Sequence, residues 1–336
     1  MTVDSVEDVA VAGSITAQET LAAQISSLKI AQGTQQVELP PHRSHDPQYN
    51  QKRSDPFQFG SRYLGQEDDP FEFNAWDHVE TDDTYKEYAE QQYAMQRQAP
   101  VSDFDKNPAK WWNLFYKNNT ANFFKDRKWL QQEFPILDKV TREDAGPMTV
   151  LEIGSCLHAC DFSKKAVEVM PQPMNLTIPR WMQADVWDVA GAELPPGLEE
   201  GSVDVAIMVF IFSALSPLQW KKAVENVYRV LKPGGEVCFR DYGRGDLAQV
   251  RFKKGRYLEE NFYIRGDGTR VYFFEKDELE EIWCGKLSEP AEGEETQSLQ
   301  PSFEIEELGF DRRLLVNRAK KLKMYRCWIQ GRFRKK

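Results

Sequence analysis

The chain has 336 residues, of which 43 are Lys or Arg and 53 are Asp or Glu, so its formal net charge is −10. This charge excludes a protein that is basic over its whole surface. No run of 18 apolar residues is present that would predict a membrane span. The first residues lack a basic region ahead of an apolar one, and five cysteines are an odd number in a chain too long to need disulfide bonds. These features predict a cytoplasmic protein with no membrane contact.

The first part of the chain predicts a disordered segment followed by a helical one. Residues 1–65 are rich in Gln, Ser, Thr, Ala and Pro and lack a sustained apolar period, which is typical of disorder. Residues 66–140 predict an aromatic-rich helical N-terminal extension, with a polar helix over 81–98. Within this extension six aromatic residues fall between Trp111 and Phe124.

Residues 141–336 predict one α/β domain built on a doubly wound, Rossmann-like sheet. Strand-like apolar runs alternate with helical patterns, and this alternation is typical of a parallel sheet. A helix is predicted from Pro217 to the glycine pair at 234–235, and an antiparallel C-terminal hairpin should close one edge of the sheet. An acidic loop is predicted at about 285–302. The predicted parallel strands lie within 148–154, 157–163, 182–188, 203–215 and 236–243.

Charge is strongly segregated along this domain. Residues 312–336 hold eleven Lys and Arg and no acid, and residues 240–270 hold eight basic residues against five acidic ones. Between them, residues 276–307 hold eleven acids against two lysines. One basic tail is often only a solvated face, but two basic segments around an acidic insertion favour a local binding surface for a polyanion.

Acidic residues and a glycine follow the predicted strands, where ligands of doubly wound sheets bind. Gly154 follows the first strand, Asp161 ends the second and Asp185 ends the third. A carboxylate after the second strand can accept hydrogen bonds from both hydroxyls of a ribose. The alternatives are a helix N-cap for Asp161 and a solvated turn for Asp185.

A metal site is not predicted. Cys156, His158 and Cys160 have a spacing that suggests zinc, but no second pair of ligands is placed to complete a tetrahedral site.

Several motifs together resemble one enzyme family. They are RDYGRGD at 240–246, NFYIRGDGTRVYFF at 261–274, LKPGG at 231–235, and the segments 111–135 and 311–336. The chain resembles class I S-adenosylmethionine-dependent methyltransferases, and among them the tRNA 3-methylcytidine methyltransferases that modify position 32 of the anticodon loop. LKPGG alone is common to many methyltransferases, whereas the first two motifs are much more specific. The resemblance covers most of residues 68–336.

The resemblance implies S-adenosylmethionine as cofactor and the anticodon stem-loop of certain tRNAs as substrate. Some members of the family need a helper protein, such as an aminoacyl-tRNA synthetase. The resemblance also implies that the aromatic helix covers the cofactor and that the strand ends hold the methionine, ribose and adenine parts of the cofactor. The cofactor residues expected on this basis are Trp112, Tyr116, Gly154, Asp161, Asp185 and Val209.

The target atom would be N3 of cytosine, which lies on the Watson–Crick edge and must be unpaired to react. Flipped bases are commonly held by stacking on aromatic rings. The expected catalytic residues are Phe212, Tyr242 and Asp241, with the Asp241 carboxylate accepting from the exocyclic amine. Trp111 and Phe115 are further candidates for stacking, and a plain core role is the alternative for each ring.

Basic residues of the two positive segments are expected to contact phosphates, which gives affinity without sequence choice. The residues expected to bind RNA are Arg244, Arg251, Lys253, Lys254, Arg256, Arg265, Arg270, Arg318, Lys320 and Lys321, with Arg332 and Arg334 as further candidates.

One feature departs from the family. Only residues 155 and 156 separate LEIG at 151–154 from LHACD at 157–161, whereas parallel neighbours need a crossover of a dozen or more residues. We therefore expect that roughly 20 or more residues are absent relative to the family. Two explanations stand open: a mis-spliced or mispredicted product of an active enzyme, or a real isoform that binds tRNA without the cofactor. A dehydrogenase on the same sheet is disfavoured because no G-x-G-x-x-G follows the first strand.

Overall fold

The computed structural model describes residues 62–101, 107–120, 127, 129–154, 158–161, 163–169, 183–285 and 301–336. Most of the segment predicted as disordered and most of the predicted acidic loop lie outside the described residues. The helices are α1 Asp83–Arg97, α2 Pro108–Asn119, α3 Leu130–Glu133, α4 Pro135–Val140, α5 Lys164–Val169, α6 Pro217–Val230, α7 Leu247–Val250 and α8 Lys276–Cys284. The strands are β1 Ala75–Asp77, β2 Val150–Ile153, β3 His158–Asp161, β4 Gln183–Val186, β5 Val203–Val209, β6 Leu231–Tyr242, β7 Tyr257–Glu259, β8 Phe262–Ile264, β9 Arg270–Tyr272, β10 Phe303–Asn317 and β11 Leu322–Lys335.

Eight of these strands form one mixed sheet in the order β1-β10-β11-β6-β5-β2-β3-β4. The five strands from β6 to β4 are parallel, and β11, β10 and β1 are antiparallel. The predicted fold class is therefore confirmed. The strands β7, β8 and β9 form a separate three-stranded sheet.

The core lies on both faces of the parallel strands, and β5 shows why. Val203, Ala206 and Met208 pack on one face with residues of α6 and α8. Val205, Ile207 and Val209 pack on the other face, which Phe134, Leu137 and their neighbours around α3 and α4 cover. A strand buried on both faces reads as a continuous apolar run, which is the pattern that predicts it.

The N-terminal extension differs from the prediction because it contributes an edge strand as well as helices. β1 pairs with β10, with Ala75 opposite Leu315. The predicted helix over 81–98 is α1, which begins at the N-cap Asp82, whose side chain accepts from the Tyr85 amide at 2.8 Å. The buried face of α1 packs with β10 and β11 in one cluster.

The predicted end of the helix at the glycine pair is wrong by a few residues. α6 ends at Val230, and Leu231 is already extended and begins β6. Pro233 disfavours helical conformation at Lys232, so the chain leaves the helix ahead of the glycines.

The C-terminal hairpin extends beyond the parallel strands. β11 pairs with β6 only from Trp328 onward, opposite Tyr242, so residues 322–327 project past the carboxyl end of β6. The hairpin turn at 318–321 is therefore at the same end of the sheet as the ligand-binding edge. No described helix is both long and apolar enough to cross a bilayer.

Candidate cofactor and RNA site

β2 and β3 are parallel neighbours joined by only four residues. Leu151 lies opposite His158, and Ile153 lies opposite Cys160. The connection is residues 154–157, of which only Gly154 is described. Parallel neighbours are normally joined by a crossover of a dozen or more residues, so this connection has no room for a helix.

A narrow cavity lies at the carboxyl ends of β2, β3 and β5, where a doubly wound sheet binds its ligand. Its volume is about 30 Å³. The lining residues are Trp112, Tyr116, Ile153, Gly154, Asp161, Trp187, Asp188, Val189, Ile211, Ala214 and Leu215. The sequence-predicted residues Trp112, Tyr116, Gly154 and Asp161 thus come together in space.

Asp161 is the buried acceptor of this cavity. Its side chain is 4% exposed, and its Oδ1 accepts from the Ser163 amide at 2.7 Å while its Oδ2 accepts from the Tyr116 hydroxyl at 3.2 Å. Burial raises the pKa of Asp161 to about 6, against the lowering effect of these two hydrogen bonds. Each carboxylate oxygen can accept two hydrogen bonds, and among the described residues each oxygen of Asp161 accepts one.

The helix α2 covers Asp161, and it carries Trp112 and Tyr116, the pair that the resemblance places over the cofactor. Trp112 and Tyr116 are both buried, and their ring centroids are 5.8 Å apart. Asn113 on the same helix accepts from the Ser163 hydroxyl at 2.7 Å and from the Lys165 amide at 3.2 Å. These bonds dock α2 on the start of α5 and hold the two rings over the cavity.

Gly154 has a φ of 89°, and a Cβ at this position would run into the Ile211 side chain. Both observations require glycine here, because L side chains rarely adopt this conformation and no space is left for one.

Two of the predicted cofactor residues do not reach the cavity. Asp185 lies within the edge strand β4, and the next residues Trp187 and Asp188 form the wall instead. Val209 packs on the opposite face of the sheet, and Ile211 lines the cavity in its place. In both cases the residues that reach the cavity follow the end of the strand.

The aromatic residues predicted to contact the target base differ in how deeply they are buried. Phe212 is fully buried, with its ring stacked against Trp220 and Phe274, so the structure gives it a core role. Tyr242 is half-buried, and its ring centroid lies 4.9 Å from that of Phe210. Sequence reasoning missed Phe210, which has a φ of 60°.

Asp241 is fully buried and faces the backbone. Its Oδ2 accepts from the Ser213 amide and its Oδ1 from the Tyr242 amide, both at 2.9 Å. Burial raises its pKa to about 6 although these bonds and the charge of Arg265 act against it. This geometry does not support direct contact with a base, and it makes Asp241 a residue that positions Tyr242 and the turn after β5.

Trp111 packs against the turn between β8 and β9. Gly268 in that turn has a φ of 85°, and a Cβ there would run into the Trp111 indole. Phe115, half-buried on the same helix, lies edge-on to Trp112 at 5.4 Å. Both rings therefore serve contacts within the protein.

The basic residues predicted to bind RNA fall into two groups. In the first group the guanidinium is used within the protein: Arg244 pairs with Glu275, Glu260 and Glu90, Arg256 donates to the Arg265 carbonyl, Arg265 to the Arg270 carbonyl, and Arg270 to Gln219. Arg332 and Arg334 pair with acids of β6 and β10. The acidic side chains beside Arg244, Arg332 and Arg334 weaken the case for phosphate contacts at these three residues.

The second group is exposed and lies at the carboxyl end of the sheet. It comprises Arg251, Lys253 and Lys254 after α7, and Arg318, Lys320 and Lys321 in the turn of the C-terminal hairpin. Asp246 ties the two regions together because its Oδ2 accepts from the Arg326 guanidinium at 2.8 Å and from the Cys327 amide at 2.9 Å. The exposed charge thus lies at the same end of the sheet as the cavity, on the side of β6, β10 and β11.

Comparison with known proteins identifies the family of this fold and site. Residues 148–235 match the model of a methyltransferase domain. The chain is 44% identical to the tRNA N(3)-methylcytidine methyltransferase trm140 of Schizosaccharomyces pombe, over 82% of this chain and 92% of that protein. The chain belongs to the tRNA N(3)-methylcytidine methyltransferase family.

Two further relatives agree. Identity to the tRNA(Thr) (cytosine(32)-N(3))-methyltransferase of Saccharomyces cerevisiae is 48% over 83% of this chain, which spans 46% of that longer protein. Identity to the tRNA N(3)-methylcytidine methyltransferase Mettl2 of Drosophila melanogaster is 37%, over 86% of this chain and 91% of the relative. The predicted family and the predicted methyl donor, S-adenosylmethionine, are confirmed.

The fungal alignments are longer than the part of this chain that they cover. The alignment with the S. pombe family member has 298 positions, whereas 82% of the 336 residues are covered, so about 20 of its positions face gaps in this chain.

The residue types that line the cavity suit S-adenosylmethionine, the methyl donor of the family, but the volume of the cavity is small. A buried carboxylate, a close-approach glycine and aromatic walls suit a nucleoside with a charged tail. Ligand pockets usually enclose 300–1,000 Å³, and the 30 Å³ found here holds only a water or two. The cavity that the described residues form is therefore smaller than a usual ligand pocket.

We expect that Asp161→Asn makes the protein more stable at pH 7. Because the pKa of Asp161 is raised in the fold, its protonated form is favoured, and the carboxyl group weakens the fold as the pH rises from about 4 through 6. An amide stays neutral, so the gain should approach about 3 kcal/mol at pH 7 and vanish near pH 4. Urea denaturation at both pH values measures this, with the exposed Asp83→Asn as a control that changes little. An equal effect of Asp161→Asn at both pH values would contradict the assignment.

Gly268→Ala should destabilise the protein more than Gly255→Ala. Both glycines have positive φ, but only at Gly268 would the added Cβ strike a side chain, that of Trp111, whereas no atom lies within 4 Å at Gly255. The control therefore carries only the backbone cost of about 1–2 kcal/mol, and Gly268→Ala should add displacement of α2. Thermal unfolding gives the difference, and near-ultraviolet circular dichroism reports the indole. Equal losses in the two variants would show that Trp111 is free to move.

Proposed function

We propose that this chain transfers a methyl group from S-adenosylmethionine to N3 of cytidine 32 in the anticodon loop of certain tRNAs. The relatives with this activity in their names support it, since 44% identity spans 92% of one of them. The exposed basic residues at the cavity end of the sheet supply a surface for the anticodon stem-loop.

The residues around the cavity have different roles in this reaction. S-adenosylmethionine carries its methyl group on a sulfonium sulfur, so the N3 lone pair can form the new bond as the sulfur–carbon bond breaks, without prior loss of a proton. Asp161 would accept from the ribose hydroxyls, with Asp188 in the place first given to Asp185 beside the adenine. Trp112 and Tyr116 exclude water, so catalysis rests on alignment rather than on a strong base.

Radiolabelled methyl transfer to total tRNA, followed by identification of the modified nucleoside, tests the proposal. The assay should compare this chain with one whose β2–β3 connection is restored to the length of the relatives. Formation of 3-methylcytidine by the restored chain supports the proposal, and a different methylated nucleoside or none would overturn it.

Reversal of the exposed lysine pair, K253E with K254E, should weaken tRNA binding and reduce its salt dependence. If both lysines contact phosphates, the slope of log affinity against log salt should become about 1.5 to 2 units less steep. The matched control is K221E with K222E, an adjacent lysine pair on α6 that changes the net charge equally. Filter binding at several salt concentrations gives both slopes, and an unchanged slope in the first variant would remove this pair from the RNA surface.

A second function is favoured by one observation, the four-residue connection beside a narrow cavity. In this reading the chain binds tRNA but not S-adenosylmethionine and acts as a non-catalytic form of the family. Calorimetry of the present chain with S-adenosylmethionine separates the two readings, since micromolar binding would exclude the second.

We extend the proposal to a cytoplasmic location and to a helper protein such as an aminoacyl-tRNA synthetase. The cysteine count supports a reducing compartment. Methylation assayed with and without added synthetases, and imaging of a tagged chain, test these two points.

A further inference from the structure

Phe210 adopts a conformation that is unusual for a bulky side chain. It directly follows β5, and its φ of 60° lies in the left-handed region, where a phenylalanine is strained. Its amide nevertheless donates to the Arg240 carbonyl at 2.8 Å, as if the strand continued. Strain of this kind is typical of functional sites, where the surrounding structure holds it in place.

The alternation of side chains between the two faces of the sheet is interrupted at the strained residue, because Val209 and Phe210 pack in the same cluster. Phe210 packs at the border of the cluster that contains Phe134 and Leu137. Ile211 packs on the other face, where it meets Gly154 and lines the cofactor cavity. One short turn thus presents a ring on one side and a cavity wall on the other.

The ring of Phe210 is part of a group of rings and cations. Tyr242 lies 4.9 Å away at an interplanar angle of 43°, and both rings are half-buried, unlike Phe212. The guanidinium carbon of Arg127 is 5.9 Å from the Phe210 centroid, and that of Arg265 is 5.4 Å from the Tyr242 centroid. The Tyr242 ring also packs against the Phe273 ring, with the centroids 5.6 Å apart, and the Tyr242 amide donates a hydrogen bond to the Asp241 carboxylate.

We propose that Phe210 and Tyr242 form the surface on which the target cytosine stacks, with Arg127 and Arg265 beside the phosphates of the flipped nucleotide. This inference rests on the proposed function. Aromatic rings stack on any base face, and guanidinium groups suit phosphate oxygens. The surface stands at the ends of β5 and β6, and Ile211, the residue that follows Phe210, lines the cofactor cavity.

Binding of two RNAs tests the proposal without methyl transfer. One is an anticodon stem-loop with cytidine at the target position, and the other has an abasic site there. Wild-type protein should prefer the cytidine loop by roughly tenfold, the range of one base–ring stack. Phe210→Leu should bring this preference close to one, whereas Phe210→Trp should keep it.

The controls separate stacking from stability. Tyr228→Leu removes an aromatic ring that also carries a cation, Lys335 at 4.4 Å, but at the opposite end of the sheet, and it should keep the preference. Phe210→Gly removes the ring and relieves the backbone strain at a positive φ, so it provides a folded variant should Phe210→Leu unfold.

The outcomes are distinct. A tenfold preference that survives both Phe210→Leu and Phe210→Gly overturns this inference and leaves the proposed function standing. Tight binding of both RNAs by wild type without any preference also overturns it. Failure of wild type to bind either stem-loop overturns the proposed function itself.

Discussion

A chain with a restored β2–β3 connection should bind S-adenosylmethionine at least a hundredfold more tightly than the present chain. The insertion, placed between Gly154 and His158, would take the corresponding residues of the S. pombe relative. A crossover of normal length adds a glycine-rich turn whose backbone approaches the ligand, and it frees Gly154 from its present contact with Ile211. Isothermal titration calorimetry on both chains measures the effect.

The matched control is the same insertion with Asp161→Ala, which should fold but lose binding. Micromolar binding by the present chain would contradict the expectation, because a cavity of 30 Å³ would then suffice. Sequencing of the transcript across the codons for Gly154 to Leu157 distinguishes the two origins of the gap. A uniform message without the extra codons would make the short connection a real property of this form.

Asp311→Ala should lower the free energy of unfolding by about 3–5 kcal/mol, because it leaves Arg240 as a buried charge without its carboxylate. Arg240 is 6% exposed and donates to Asp311 at 2.6 Å, while its guanidinium lies between the rings of Trp129 and Trp328. Burial alone would raise the pKa of Asp311, but the charges of Arg240 and Arg313 outweigh it and hold the pKa below its usual range. The stabilisation is therefore present above pH 4 and is lost as the solution becomes more acidic.

Denaturation at pH 7 measures the loss, and the exposed pair of Arg229 and Glu200 offers the control. Glu200→Ala should cost less than about 1 kcal/mol. Replacing Arg240 with Leu in the Asp311→Ala background should recover part of the stability, since the unpaired charge is gone. A larger loss in that double variant would mean that Arg240 stabilises mainly through its stacking between the two tryptophans.

Sequence patterns predicted the parallel strands well, because strands buried on both faces carry long apolar runs such as Val203–Val209. Motif types also placed Asp161 and Tyr116 at one site. What the pattern does not contain is the direction of each side chain near a strand end. At Phe210 a left-handed residue interrupts the alternation of the strand, and its ring is half-buried whereas Phe212 lies in the core.

Charge was the least predictive signal. Arg244 lies in the most characteristic motif, yet acids from three different segments surround it. These partners are distant in sequence, so only the fold reveals that the guanidinium is already neutralised. Lys253 and Lys254 follow later in the same segment, are exposed, and remain the better candidates for contacts with RNA.

The edge strand β10 has a consequence for how the protein behaves at high concentration. β1 covers only its residues Arg313–Leu315, and within the described residues the outer side of 303–312 pairs with no strand. An open edge of this length invites pairing with a second molecule, and charged side chains oppose it. Glu304, Glu306 and Glu307 stand on this stretch, so the acids that lower the net charge also guard the sheet against aggregation.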